Sequence, residues 1–171
     1  MKSAVILAFI GTLLCLGWVH AEQGDEAGKR AQAERLVTEF WDRVWTPEPD
    51  LTAIDELLVE DFVLTSAGTD VAGRAPFRQW VEGFQAKAKN IQLEVFETFA
   101  NGDATRVTSR WRASGINNGV LGTPPDGKPI AFTGIAIWEV RWTPEGPKLA
   151  HNWVERSAWE LYQLLTKPSA D

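Results

Sequence analysis

From Ile91 to Arg156 the apolar residues recur at every second position between turns, and that period commits this part of the chain to an antiparallel meander. Ile91, Leu93, Val95 and Phe99 share one face of the first strand, Asn101-Gly102-Asp103 makes a hairpin turn, and Val107 and Trp111 continue the buried side on the return. Arg106, Arg110 and Arg112 fall on the opposite face, read as a solvated or subunit-facing surface paired with carboxylates such as Glu94. A Gly- and Pro-rich connection, Gly119 to Pro129, leads to Ile130–Trp142, a strand apolar on both faces and therefore expected to be covered on both. Thr143-Pro144-Glu145-Gly146-Pro147 then turns the chain back into Lys148–Arg156.

Before the meander the period is helical. Leu36, Val37, Phe40, Trp41, Val44 and Trp45 recur at spacings of three and four from Ala33 onward, one wide apolar stripe. Pro47 and Pro49 end that helix, and Asp50 is placed to cap a short one over Leu51–Leu58. Phe62-Val63-Leu64-Thr65 reads as a short strand, and Gly73 precedes a third helix marked by Phe77, Trp80, Val81 and Phe84. Ser157 is placed to cap a last helix. Helices followed by a long meander make an α+β class, and 171 residues at 44% hydrophobic fit one domain with a sizeable core.

The N-terminus carries a different signal. Lys2, the apolar run Ala4–Val19 and the small-residue pattern Val19-His20-Ala21 read as an export signal over residues 1–21, cleaved after Ala21, which predicts a periplasmic or secreted protein with no stable membrane association after cleavage; the alternative reading is a segment retained as a membrane anchor. Residues 22–32 are polar and aperiodic and are expected as a disordered leader to a domain over 33–166. The sole cysteine, Cys15, lies in the signal, so the mature domain has no disulfide, thiol nucleophile or cysteine ligand. Only His151 remains of the histidines, so no metal site is expected. A net charge of −6 without a Lys/Arg run argues against a nucleic-acid partner.

Nine tryptophans against one tyrosine suit either a thick core or a pocket for a flat, apolar ligand. Several ordered features resemble the SnoaL-like polyketide cyclases of the nuclear transport factor 2-like superfamily. They are the opening amphipathic helix, the strand after Glu60-Asp61-Phe62, Gly73 leading into a helix with Phe77 and Phe84, Gly115-x-x-x-Gly119, Gly122-x-Pro124-Pro125-x-Gly127, Phe132-x-Gly134, Arg141, Trp153 and Leu161-x-Gln163-Leu164. The resemblance spans about residues 33–165 and implies a cone-shaped curved antiparallel sheet over three N-terminal helices, a pocket in the mouth of the cone, and a homodimer through the sheet. It also implies intramolecular aldol chemistry without metal or organic cofactor, for which a base removes a C–H proton and a donor stabilises the enolate.

At the positions where the resemblance puts the catalytic pair, this chain departs. The strand histidine falls on Trp138, the aspartate near Val154, the histidine of the Gly-x-His-x-Gly segment on Asn117, and the aspartate of the last helix on Ser157. The remaining candidates for chemistry are Glu155 as base and His151 as acid or donor, four apart on a strand and so on one face, roughly 13 Å apart along the backbone. Trp153 shares their face while Ala150 and Val154 hold the other, so the period alone permits this face to look inward or outward. Asn117, Trp138, Trp153, Trp41 and Trp45 are the candidate ligand-lining residues. The readings compatible with these residues are a cofactor-free acid/base enzyme on a small apolar carbonyl compound, a non-catalytic binder of a small hydrophobic ligand, and a dehydratase or isomerase of the same fold.

Overall fold

The computed structural model describes the backbone of residues 7–167 and the side chains of residues 25–167. Its elements run α1 (Leu7–Val44), α2 (Thr52–Leu57), β1 (Leu58–Ser66), β2 (Thr69–Ala72), α3 (Arg74–Lys87), β3 (Ala88–Ala100), β4 (Arg106–Asn117), β5 (Pro129–Thr143), β6 (Gly146–Arg156) and α4 (Ala158–Thr166). Six strands form one sheet in the order β2-β1-β6-β5-β4-β3, with three helices preceding the long meander as the α+β class requires. The sheet is antiparallel except where β1 lies parallel to β6, a pairing the helical crossover through α3 and the meander makes possible.

The helical stripe is buried as its spacing requires: Val37, Phe40 and Val44 are fully enclosed, and Leu36, Trp41 and Trp45 nearly so. Residues 22–32, expected as an irregular leader, instead continue α1. Glu, Gln, Ala, Lys and Arg are good helix formers, the turn below them is anchored in the core, and Asp25 pairs with Lys29 at 3.1 Å one turn on. The expected export signal, residues 1–21, lies outside the residues whose side chains are described. Among the described residues no helix is long and apolar enough to cross a membrane.

Among the register irregularities of the sheet, two on the long strands change which face later side chains take. On β3, Val95 pairs with Trp111 but Glu97 with Arg110, so Phe96 is an extra residue. On β6, Leu149 pairs with Val140 but His151 with Glu139, so Ala150 is extra. Each extra residue shifts the alternation by one. Phe99, expected to share the buried face of Ile91, is consequently turned out and is 54% exposed.

The inner face of β5 is packed through Ile130, Phe132, Ala136, Trp138 and Val140, while Ile135 and Ile137 on the outer face are exposed. The second apolar face of this strand is therefore uncovered in the single chain, because all the helices that pack on the long strands lie on the concave side or at the sheet's end. On the same outer face Arg110 pairs with Glu97 at 2.7 Å and Arg106 with Glu139 at 3.2 Å, the carboxylate partners expected of this arginine row, though Glu97 and not Glu94 is the one engaged.

Gly134 on β5 is paired with Trp111 across the sheet, and the indole lies over it. A Cβ there would meet Trp111 Cζ2 at 2.3 Å and Cη2 at 2.5 Å, and the backbone oxygen of Glu155 at 2.7 Å. Gly134→Ala is expected to lower stability by about 1–3 kcal/mol through overpacking. Urea unfolding checks this.

Candidate functional site

The concave face of the sheet, α1 and α3 enclose an inner cavity of about 40 Å³. Phe40 and Trp41 line it from α1 and Trp45 from just past its end, Phe77, Trp80 and Phe84 from α3, and Trp111, Phe132 and Trp138 from the sheet floor. The rings interlock edge to face: Phe40 and Trp138 centroids are 4.9 Å apart, Trp41 and Trp138 5.2 Å, and Trp45 and Phe84 5.6 Å. An outer cleft of about 420 Å³ adjoins it, between α3, the short turn at Val120–Gly122 and the start of α4. The two share Trp80, Phe84, Val154 and Arg156.

On β6 the inner cavity is lined by Asn152, Val154 and Arg156. His151, Trp153 and Glu155 alternate with these and face the convex side of the sheet. The inward reading of His151 and Glu155 is thereby corrected: the Ala150 bulge sets the phase of the strand after it, and it sets that face outward. His151 stacks flat on Trp153 at 3.7 Å between centroids, with the Arg106 guanidinium 5.6 Å over the same indole. Burial pushes the His151 imidazole below its ordinary value, against the pull of Asp70 and Glu139. Thr65 Oγ1 donates to Asp70 Oδ1 at 2.6 Å and sits 2.8 Å from His151 Nε2. With the hydroxyl proton committed to the carboxylate, Nε2 is left to donate, so this order of groups does not activate Thr65 as a nucleophile. Glu155 is exposed and lines the outer cleft and a shallow groove beside Arg110, Thr133 and Ser157, but not the inner cavity.

Trp41, Trp45 and Trp138 line the inner cavity, whereas Trp153 lies on the convex face. Asn117 is buried but belongs to the connection between β4 and β5. Its Nδ2 donates to Pro124 O and Asp126 Oδ1, both at 2.8 Å, and its Oδ1 accepts from the backbone N–H of Gly119 and Val120. A side chain so fully engaged has no bond to offer a ligand. Trp138 and Val154, where the resemblance places the cyclase pair, do both line the cavity, and neither is an acid or a base.

Arg156 is the site residue that sequence reasoning passed over. Its guanidinium lies 5.6 Å from the Trp80 ring and 5.4 Å from Phe84, and Nη2 donates to Ser66 Oγ. Desolvation lowers its pKa, with Glu155 pulling the other way; at any ordinary pH it remains charged. The signal was available in Ser66 and Arg156 only once β1 and β6 were known to be parallel neighbours, with Ser66 opposite Val154. Four indole N–H groups of the cavity, those of Trp41, Trp45, Trp111 and Trp138, and Nδ2 of Asn152 are buried with no protein acceptor among the described residues. Among the described residues no carboxylate, imidazole or hydroxyl lines the inner cavity. Among the described residues no group of three His, Cys, Asp or Glu is placed to hold a metal ion.

No curated protein matches the chain. Among solved structures it is similar to a proposed SnoaL-like polyketide cyclase from Jannaschia sp. CCS1, with 15% identity, 81% of this chain and 94% of that one covered, and a TM-score of 0.72. A phenazine biosynthesis-related protein from Pseudomonas aeruginosa gives 14% identity, coverage of 86% and 94%, and a TM-score of 0.67. A proposed polyketide cyclase from Xanthomonas campestris pv. campestris gives 21% identity, coverage of 80% and 98%, and a TM-score of 0.64. At these identities the likeness concerns the fold, and it agrees with the mixed six-stranded sheet described above. The SnoaL-like domain family matches residues 34–143, from the apolar stripe of α1 to the end of β5, and the chain belongs to that family.

Proposed function

We propose that this domain binds a small apolar compound bearing hydrogen-bond acceptors, such as a carbonyl compound, without transforming it. One observation carries the reading: among the described residues the inner cavity is lined by aromatic rings and N–H donors with no group able to take up a proton, and the outer cleft adds a single carboxylate, Glu155, on the outward phase of β6. Aldol cyclisation, dehydration and isomerisation each need a base within hydrogen-bond reach of the proton removed, about 2.6–3.2 Å. The inner cavity and outer cleft together fall within the several hundred Å³ usual for small-molecule sites.

Around this reading stand two further proposals. Export through cleavage after Ala21 delivers the binder to the periplasm or the exterior. A homodimer through the convex face covers the row of exposed Phe99 and Ile137 and half-buried Trp153, which lie side by side across β3, β5 and β6 with Thr108 between.

Titration of tryptophan fluorescence with a panel of small aromatic and aliphatic ketones and acids tests the function. Saturable one-to-one quenching with the ligand recovered unchanged by chromatography is the expected result. Product formed in proportion to protein, and lost in Glu155→Gln, would overturn it in favour of an enzyme acting from the rim of the outer cleft.

A further inference from the structure

Arg156 stands at the junction of inner cavity and outer cleft, and its environment differs from that of the paired arginines. Arg43, Arg78, Arg106, Arg110 and Arg141 each meet a carboxylate within 3.2 Å. Arg156, half-buried, meets none among the described residues. Its contacts are two aromatic faces and the Ser66 hydroxyl. A guanidinium has five donors, and a buried charge that lacks a counter-charge carries a large desolvation cost. Four residues earlier on the same face, Asn152 is 2% exposed with Nδ2 unpartnered, a second donor about 13 Å along the strand.

The charged groups around the outer cleft are Lys87 and Arg156 against Glu155, which lies on the outward phase of β6. The apolar side of the cleft is supplied by Phe84, Val120 and Leu121. Leu121 is 42% exposed and held at a φ of 55°, a left-handed conformation that leucine rarely adopts.

Resting on the binding reading above, we infer that the ligand is an apolar carboxylate: its two oxygens meet the Arg156 fork at the cavity junction, and its hydrocarbon body lies in the outer cleft against Phe84, Val120 and Leu121. Planar bidentate pairing is what distinguishes a carboxylate from a ketone or an ester at such a group. The Trp80 and Phe84 rings hold the fork in orientation before the ligand arrives, so little side-chain entropy is lost on binding.

The test is isothermal titration of the full domain with 4-tert-butylbenzoate and with its methyl ester. The acid is expected to bind at least about tenfold more tightly than the ester, the scale of one charge-assisted contact. In Arg156→Met the affinity for the acid falls to that for the ester, while the ligand-free variant melts no lower than the wild type because an unpaired charge has been replaced by an apolar chain. Arg156→Lys, which keeps the charge and loses the fork, binds the acid with intermediate affinity. Equal binding of acid and ester, unaltered in Arg156→Met, would overturn the carboxylate inference and leave the binding reading standing. If neither probe binds, both are overturned together.

Discussion

Trp138→Ala is expected to lower the stability of the domain by about 3–5 kcal/mol, the cost of removing a large aromatic side chain from a packed core. Trp138 is 1% exposed on the inner face of β5. It makes edge-on contacts with Phe40 and Trp41 and lies 6.4 Å from Phe62, so its removal separates α1 from the sheet floor and the floor from β1. The existing inner cavity would then open into the void, and the surrounding rings, already interlocked, have little freedom to collapse into it. Urea unfolding followed by far-UV circular dichroism measures the loss. Trp138→Phe, which keeps most of the volume and removes a buried indole N–H that has no protein acceptor, should cost much less. Equal losses in the two variants would show that the indole, rather than its bulk, is what matters at this position.

The second large effect is expected at Asn117. One buried amide holds four segments of the β4–β5 connection: it donates to Pro124 O and Asp126 Oδ1 and accepts from the backbone N–H of Gly119 and Val120. Asn117→Ala leaves buried donors and acceptors unpaired at once, a loss of about 2–4 kcal/mol. A second readout distinguishes this from a general loosening. The Asn117 amide is the largest cause holding the Asp126 carboxyl down at about 2, ahead of Lys128. In Asn117→Ala the Asp126 value, followed by NMR, should rise toward the ordinary carboxylate range. The sign of the linkage follows: a depressed folded value favours the native state above the unfolded value, and that contribution is lost as pH falls toward 2. An Asp126 titration unchanged in the variant would exclude Asn117 as its partner in solution.

Much of the scaffold is legible in local pattern. The stripe from Leu36 to Trp45 buries where a helical period puts it, Gly73 precedes α3, and the turn at Thr143–Pro147 returns β5 into β6. These are decided by neighbours within a turn or a hairpin. The disorder expected for residues 22–32 was not legible in the same way, because polar residues that are good helix formers extend a helix whose next turns are anchored.

The site was less legible, for a reason that lies in the strands. A two-residue period states which side chains share a face but not which face is inside, and one inserted residue reverses the assignment beyond it. Phe96 does this on β3 and turns Phe99 outward; Ala150 does it on β6 and turns His151 and Glu155 outward, giving the cavity Asn152, Val154 and Arg156. Asn117 reads as a ligand donor until its partners in the connection are seen.

The α+β class and the helical core stripe follow from spacings within single elements, and the aromatic interior from the nine tryptophans and eight phenylalanines. Which polar residues meet the cavity is set by contacts far apart in the chain. That choice depends on the register of β6 between β1 and β5, where the Ala150 bulge fixes the phase of every side chain from His151 to Arg156.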